Sequence, residues 1–434
     1  MKTLRVGLCG LGTVGQGVLE LLQKNADLIS LRCGRSIQLV RVASRTEKPQ
    51  VDLGNAVFST RIEDLLEDAD IDVIVEAIGG SDTALSLMHA ALKSNKHIIT
   101  ANKALIAEHG NILIPLALAA NLYLGYEAAV AGGIPVIKAL REGLAGNQID
   151  RISGIINGTS NFILSAMSQS GDDFDTALQD AQKLGYAEAD PGFDIDGVDA
   201  AHKLSILAAL AFGMPLHFDS VYMEGISDVS VEDIQYARDL GYRIKHLGIC
   251  SMDTKGLSLR VHPSLVPSGQ MLANVEGVMN AVQIESDALG SSMYSGPGAG
   301  ALPTASSIVA DLIDLARGNT GDMYYNNEAT MVGIEKIKTA YYLRIPAVNK
   351  PGVLAEVARE LSSHGISIEA VTQRERNASQ DVAVSWVPVI IITRQVMEDT
   401  MNKALASIQA SDHVVGKIMR IRVEAGDTHK HNVG

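Results

Sequence analysis

The chain reads as an α/β protein of three units: a doubly wound parallel sheet at the amino end, an α+β middle, and a small βαββαβ unit at the carboxyl end. Three observations predict it. A short strand runs straight into a glycine turn and a helix within the first residues. Continuous apolar strands then alternate with helical patterns up to about residue 130, as in sheets covered on both faces. After Thr339, short strands and two helices follow in a different order. At 434 residues the chain exceeds what one core usually serves, so two or three domains are expected.

In the first unit, Leu4-Arg-Val-Gly-Leu-Cys9 is followed at once by Gly10-Leu11-Gly12-Thr13-Val14-Gly15. Val14, Val18, Leu19, Leu21 and Leu22 then recur as one helix face. Strand, G-x-G-x-x-G turn and helix together make a Rossmann-like dinucleotide-binding unit. Gly10 permits the tight turn, Gly12 lets the backbone approach a pyrophosphate, and Gly15 lets the helix pack on the strand. Leu11, Thr13 and Val14 belong to the same turn, whose N–H groups suit phosphates.

The second strand, Ile37–Ala43, ends in Ser44-Arg45 with Lys48 nearby. An NAD site usually carries an acid there. A basic loop suits a 2′-phosphate, so NADP(H) is favoured over NAD(H); a merely solvated Arg45 is the alternative. Residues 73–78 read as a buried strand ending in Gly79-Gly80, where backbone can lie against a cofactor, with Ser81 or Asp82 capping the next helix. His97–Thr100 is the following strand. Ala101-Asn102-Lys103 stands at its carboxyl end, in the ligand crevice of an open α/β sheet. Residues 122–127 read as another strand and 128–135 as a Gly-rich loop.

Residues 181–203 are the most informative stretch. They carry Glu188, Asp190, Asp194, Asp196 and Asp199 and end on Lys203, just before the apolar run 204–212. On a helix, Asp196, Asp199 and Lys203 share one face. Lys203 thus sits where a solvated helix end enters a core, and a lysine so placed among carboxylates is a candidate proton donor. An ordinary Asp199–Lys203 surface pair, worth about 0.3–0.5 kcal/mol, is the bland alternative. The run Ala181, Gly185, Tyr186, Asp190-Pro191, Asp194-Ile195, Gly197, Asp199 and Lys203 matches, position by position, the signature of homoserine dehydrogenase. The chain resembles that family over about residues 1 to 320.

The resemblance implies hydride transfer between a nicotinamide cofactor and aspartate 4-semialdehyde or homoserine, in threonine, methionine and isoleucine biosynthesis. It implies Lys203 as proton donor and acceptor, and Glu188 and Asp199 at the substrate with Asp194 as the next candidate. It places Lys103 near nicotinamide and substrate. It also implies a sodium ion held by backbone carbonyls near Glu127, Val130, Gly132 and Ile134; a plain strand-to-helix turn fits those residues equally well. Asn157-Gly158-Thr159-Ser160-Asn161-Phe162, after the strand 150–156, resembles the family's segment under the cofactor, and a helix cap by Thr159 or Ser160 fits it too. The glycine turn 296–300 leads into Ala301–Arg317, which resembles the family's return to the cofactor domain and puts Gly300 against the cofactor.

In the last unit, strands are expected at 340–345, 366–371, 387–392 and 415–423, and helices at 355–364 and 397–409. With Lys350-Pro351-Gly352-Val353-Leu354 at the first turn, this order resembles an ACT domain. The resemblance implies Asn349 and Gly352 as contacts of an amino-acid effector, threonine; a structural or dimerising module is the alternative. The expected divisions are 1–130 for the cofactor domain, rejoined by 301–317, then 131–320 for the catalytic and dimerisation domain, 340–425 for the ACT domain, and 426–434 as a disordered tail.

A net charge of −14 argues against a general nucleic-acid binder, which needs a basic face. The longest apolar runs, such as 112–120 and 204–212, fall well short of the roughly 20 residues of a membrane span. Met1-Lys-Thr leads directly into a strand, leaving no room for a signal peptide. Cys9, Cys33 (in a linker) and Cys250 are far apart and read as reduced thiols. A cytoplasmic homodimer or homotetramer is expected. Two rivals remain. An acyl-enzyme oxidoreductase such as aspartate-semialdehyde dehydrogenase would need an activated thiolate. A catalytically dead sensor would keep every function without Lys203.

Overall fold

A computed structural model describes residues 3–319, 328–373 and 386–424. Its first sheet holds β1 (Leu4–Cys9), β2 (Ile37–Ala43), β3 (Val57–Ser59), β4 (Val73–Glu76), β5 (His97–Thr100) and β6 (Leu124–Gly125). All pair in parallel, in the order β3-β2-β1-β4-β5-β6. The order reverses between β1 and β4, which opens a crevice at their carboxyl ends. Val73, Ile74 and Val75 are wholly buried, which is why β4 is apolar without alternation. The strand expected at 122–127 pairs only at Leu124–Gly125, because Glu127–Ala129 coils into a 3₁₀ turn.

The helix Ala301–Arg317 lies against this first sheet: Ala305, Ile308 and Leu312 share a core with Leu4, Val6 and Val18. It is fastened by Asp311, which accepts the Tyr123 hydroxyl and the Glu127 N–H, both at 3.0 Å. Gly17, on the helix Thr13–Lys24, meets it so closely that a Cβ would lie 2.4 Å from the Ala301 carbonyl oxygen.

The second sheet begins with β7 (Ile149–Ile155), β8 (Tyr222–Met223), β9 (Tyr242–Asp253), β10 (Gly256–Pro267), β11 (Met279–Ser286) and β12 (Gly290–Pro297). The order is β12-β11-β7-β9-β10, with β8 beside β10. The apolar face of the helix Val198–Phe212 packs here: Leu204 and Leu207 join Ile152, Cys250, Val261 and Val282 in one core.

The carboxyl-terminal unit contributes β13 (Lys338–Val348), β14 (Ile368–Gln373), β15 (Trp386–Thr393), β16 (Val396–Met397) and β17 (Met419–Val423), with helices Val353–Ser363 and Glu398–Gln409. Its order is β17-β13-β15-β14. The strand expected from 415 starts at Met419, since the Val415 N–H bonds to the Pro346 carbonyl instead. Strand β17 also pairs in parallel with β10, Ser264 with Arg422 and Leu265 with Val423, so one eleven-stranded sheet runs through both units.

The seam between the units is ionic. Arg422, 1% exposed, pairs with Glu398 at 2.5 Å and Glu224 at 2.9 Å. Arg344 grips Asp233 at 2.7 Å, and the Tyr342 hydroxyl donates to the same carboxylate at 2.9 Å. Cys33 closes the helix Ala26–Cys33 rather than lying in a linker. The tail 426–434 lies outside the described residues. Among the described residues no helix is long and apolar enough to cross a membrane.

Candidate active site

The glycine turn after β1 has the shape its residues require. Gly10 adopts φ 106°, and a Cβ there would sit 2.5 Å from the Ala77 carbonyl oxygen. A Cβ on Gly15 would sit 2.0 Å from the Gly10 oxygen. At Gly12 a Cβ would meet nothing within 4 Å, so that face is open to an approaching phosphate. A cavity of about 440 Å³ begins here, lined by Thr13, Val14, Gly79, Asn102, Lys103 and Phe193 among others. These residues fit a dinucleotide: an open glycine, the start of a helix, and a cleft at the switch point. Arg45 is exposed just past β2. Gly300 precedes the helix Ala301–Arg317 with φ 123°. Neither Ser81 nor Asp82 caps the helix Asp82–Lys93 through its side chain. Ser81 already has helical dihedrals (φ −104°, ψ −63°), whereas a side-chain cap wants extended backbone.

Asp199, in the first turn of the helix Val198–Phe212, joins two lysines. Its Oδ2 lies 2.6 Å from Lys203 Nζ and its Oδ1 2.9 Å from Lys103 Nζ. Lys203 also donates to the Ile156 carbonyl at 2.7 Å. Asn157 completes the group: its Nδ2 reaches Asp194 Oδ1 at 2.7 Å and Asp199 Oδ2 at 2.8 Å. Its Oδ1 accepts the Ser160 N–H at 2.8 Å, so Asn157 is the helix cap, not Thr159 or Ser160. Asn157 has the extended backbone a cap needs (φ −122°, ψ 116°). The Thr159 hydroxyl donates to the Tyr186 carbonyl and the Ser160 hydroxyl to the Asp194 carbonyl.

Burial governs the charges. It pulls the Lys203 ammonium down from its ordinary 10.5; Asp199 opposes this and the nearby Lys103 reinforces it. Burial also works against the Asp199 carboxylate, but Lys203 and Lys103 together hold it well below the usual carboxylate range. Asp194 is raised, chiefly by burial and then by the neighbouring Asp199 charge, with the Asn157 amide opposing.

The structure therefore brings Lys103, Asp194, Asp199 and Lys203 together. It leaves Glu188 exposed, its backbone carbonyl accepting from the Gln182 amide. Asp190 and Asp196 are exposed too, and Gly197 (φ 91°), not an aspartate, occupies the cap position of the helix. Asn157 was read from sequence only as part of the segment under the cofactor, and Phe193 was not singled out. Phe193 sits with its ring centroid 5.6 Å from Lys103 Nζ. A large ring amid five acids was the available signal.

The loop proposed for a cation is buried at Glu127, Val130, Gly132 and Ile134 and turned by left-handed Ala131 (φ 53°) and Gly132 (φ 47°). The Glu127 carboxylate accepts the Ile137 and Lys138 N–H groups, and the Gly132 carbonyl accepts the Ser307 hydroxyl. A carbonyl oxygen with one such bond keeps a second lone pair, and an all-oxygen donor set suits a hard cation. The cysteines are buried and unpaired. Burial pushes the thiols of Cys9 and Cys250 up to about 12, Glu76 adding at Cys9, the opposite of a nucleophile. Asn349 and Gly352 are exposed in the turn from β13 into the next helix.

Residues 135–313 match the homoserine dehydrogenase family model, 10–127 the homoserine dehydrogenase NAD-binding domain, and 341–408 the ACT domain. A homoserine dehydrogenase of Pseudomonas aeruginosa is 49% identical over 435 residues, covering 98% of this chain and 99% of its own. The crystal structure of a homoserine dehydrogenase from Thiobacillus denitrificans superimposes with a TM-score of 0.91 at 48% identity, over 98% of this chain and 99% of that one. A hyperthermophilic archaeal homoserine dehydrogenase in complex with NADPH gives a TM-score of 0.62 at 28% identity, over 72% of this chain and 97% of that one. With its glycine turn, its cleft and its lysine–aspartate group on that shared frame, the chain belongs to the homoserine dehydrogenase family of oxidoreductases and carries an ACT domain.

Proposed function

We propose that the enzyme interconverts aspartate 4-semialdehyde and homoserine, preferring NADP(H), and that Lys203 gives and takes the proton. One observation carries this reading. A lysine ammonium has three N–H groups, and Lys203 commits two, to Asp199 and the Ile156 carbonyl. The third is left for an oxygen of the substrate. When bound, the nicotinamide cofactor supplies or accepts the hydride. In reduction, Lys203 stabilises the growing charge on the aldehyde oxygen and protonates it. In oxidation the neutral amine accepts the alcohol proton, and its lowered pKa makes that form accessible. Asp199 aims both lysines, and Asp194, with Glu188 as a second candidate, is the anionic partner for the substrate ammonium. Lys103, joined to Asp199 and lining the cleft, faces cofactor and substrate.

The exposed Arg45 past β2 supports the preference for a 2′-phosphate. Gly10 to Gly15, Gly79 and Gly300 are proposed cofactor contacts. The carbonyls near Glu127, Val130, Gly132 and Ile134 would hold sodium. The exposed turn with Asn349 and Gly352 would bind threonine, the end product that inhibits the enzyme, in a pathway leading also to methionine and isoleucine. The proposed division is 1–130 with 301–317, 131–320, and 340–425. A cytoplasmic homodimer or homotetramer fits the buried thiols and the sheet ends at β12 and β14, each with one neighbour among the described residues.

Following NADPH oxidation with aspartate semialdehyde tests the central claim. Lys203→Ala should lose turnover by on the order of 10²–10⁴ while NADPH still binds. Full turnover in that variant would remove Lys203 from the proton transfer, and no turnover in the wild type would leave the sensor reading.

A further inference from the structure

We propose that Glu76 is a positioning residue, the strut that fixes both turns of the cofactor cleft and sets where the helix bearing Lys103 begins. Glu76 ends β4 and is 1% exposed. Its Oε1 accepts the N–H groups of Ile78 at 2.9 Å and Gly79 at 3.1 Å. Its Oε2 accepts the hydroxyl of Thr100, at the end of the neighbouring β5. That hydroxyl oxygen accepts the Asn102 N–H at 2.9 Å, and the Asn102 amide donates to the Gly80 carbonyl at 2.7 Å. The bonds close a ring: Glu76, Thr100, Asn102, Gly80, and back through Gly79 to Glu76. Asn102 Oδ1 then accepts the Leu105 N–H and so caps the helix whose first residue is Lys103.

Among the described residues no ion pair reaches Glu76. A buried acid without a cation is costly unless hydrogen bonds satisfy it. Here they do, and the ring requires an acid. Three donors converge on two oxygens, and only a carboxylate offers acceptors alone. A glutamine of the same shape must aim its amide nitrogen either at the Ile78 and Gly79 N–H groups or at Thr100, whose hydroxyl proton would lose its acceptor. The first breaks the ring; in the second the amide donates to Thr100 Oγ, which keeps a lone pair for the Asn102 N–H, but the hydroxyl proton is left as a stranded buried donor. Gly79 and Gly80, held at φ 67° and 74° without side chains to pack, would then be free to shift. Both turns line the cavity of about 440 Å³, so the loss falls on cofactor binding and on the aim of Lys103.

The inference rests on the cofactor cleft and not on the identity of the substrate, so titrating NADPH fluorescence, without turnover, tests it. Glu76→Gln should weaken NADPH binding on the order of tenfold, the usual result of stranding one buried donor. Thr100→Val keeps the shape of Thr100 but removes the hydroxyl, and should weaken binding in the same sense. Thr100→Ser restores the hydroxyl and should bind near wild-type strength. In steady state, Thr100→Val should also raise KM for the semialdehyde through Lys103, while its melting temperature stays within a few degrees of wild type. Wild-type NADPH affinity in both Glu76→Gln and Thr100→Val overturns the proposal, as does a Thr100→Ser variant as weak as Thr100→Val. If Glu76→Gln does not fold, the Thr100 pair decides alone.

Discussion

Lys203 is pulled two ways: burial favours its neutral amine, and Asp199 favours its ammonium. Burial wins, so the group titrates below 10.5, and the sign of the pH dependence follows. In the proposed mechanism reduction uses the ammonium, so kcat/KM with semialdehyde should fall as pH rises through the lowered pKa. In the same proposal oxidation of homoserine uses the amine and should rise over the same window. Paired pH–rate profiles check this, and Lys203→Ala should flatten that limb in both directions. For stability the lowered pKa means the unfolded chain binds more protons, so this group costs stability below its folded pKa and the cost fades towards pH 10.5. The Asp199–Lys203 pair was legible in the chain, because i, i+4 spacing on a helix is local geometry. Asn157, 42 residues before Asp199, was not; its part depends on β7 and the helix meeting in space. Glu76 was hidden for the same reason: within an apolar strand it has no local partner.

At the scale of elements, the glycine turn is the sharpest case. A methyl on Gly15 would overlap the Gly10 carbonyl, and the strand and helix on either side are too well packed to retreat. Gly15→Ala should therefore reduce NADPH affinity by at least about tenfold and cost roughly 1–3 kcal/mol of stability, measured by titration and urea unfolding. Elements with a strong period or a continuous apolar run, such as β1, β4 and the helix Val198–Phe212, were readable from sequence. Their ends were not. β6 is cut short by Asp311 taking the Glu127 N–H, and β17 starts late because Val415 turns to Pro346. Both are contacts with distant segments. Ser81 looks like a cap by residue type, but its backbone had already turned helical.

Over the whole molecule, the seam between the catalytic and ACT units is made of buried charge. Arg422→Ala would take the shared guanidinium from Glu398 and Glu224, leaving Glu398 with Arg420 at 2.9 Å and the Tyr341 hydroxyl at 2.8 Å. It should destabilise by about 1–3 kcal/mol in urea unfolding, whereas Arg422→Met, which keeps the packing of the stem, should cost less. If the exposed turn binds threonine, Asn349→Ala should raise the concentration for half inhibition on the order of tenfold and leave uninhibited kcat unchanged. An unaltered inhibition curve would place the effector elsewhere. The three-unit plan was visible in the chain. That two of the units share one sheet was not, because parallel pairing of β10 with β17 joins residues more than 150 apart.

That pairing also governs how the ACT unit can be studied. Ser264 and Leu265 give their outer hydrogen bonds to β17. Cutting the chain before β13 would lay this border bare, and an unprotected strand invites sticking to its own kind. A shortened enzyme that lost its response to threonine would thus be reporting on clumping as much as on signalling. Single replacements in the intact chain are the sounder probe.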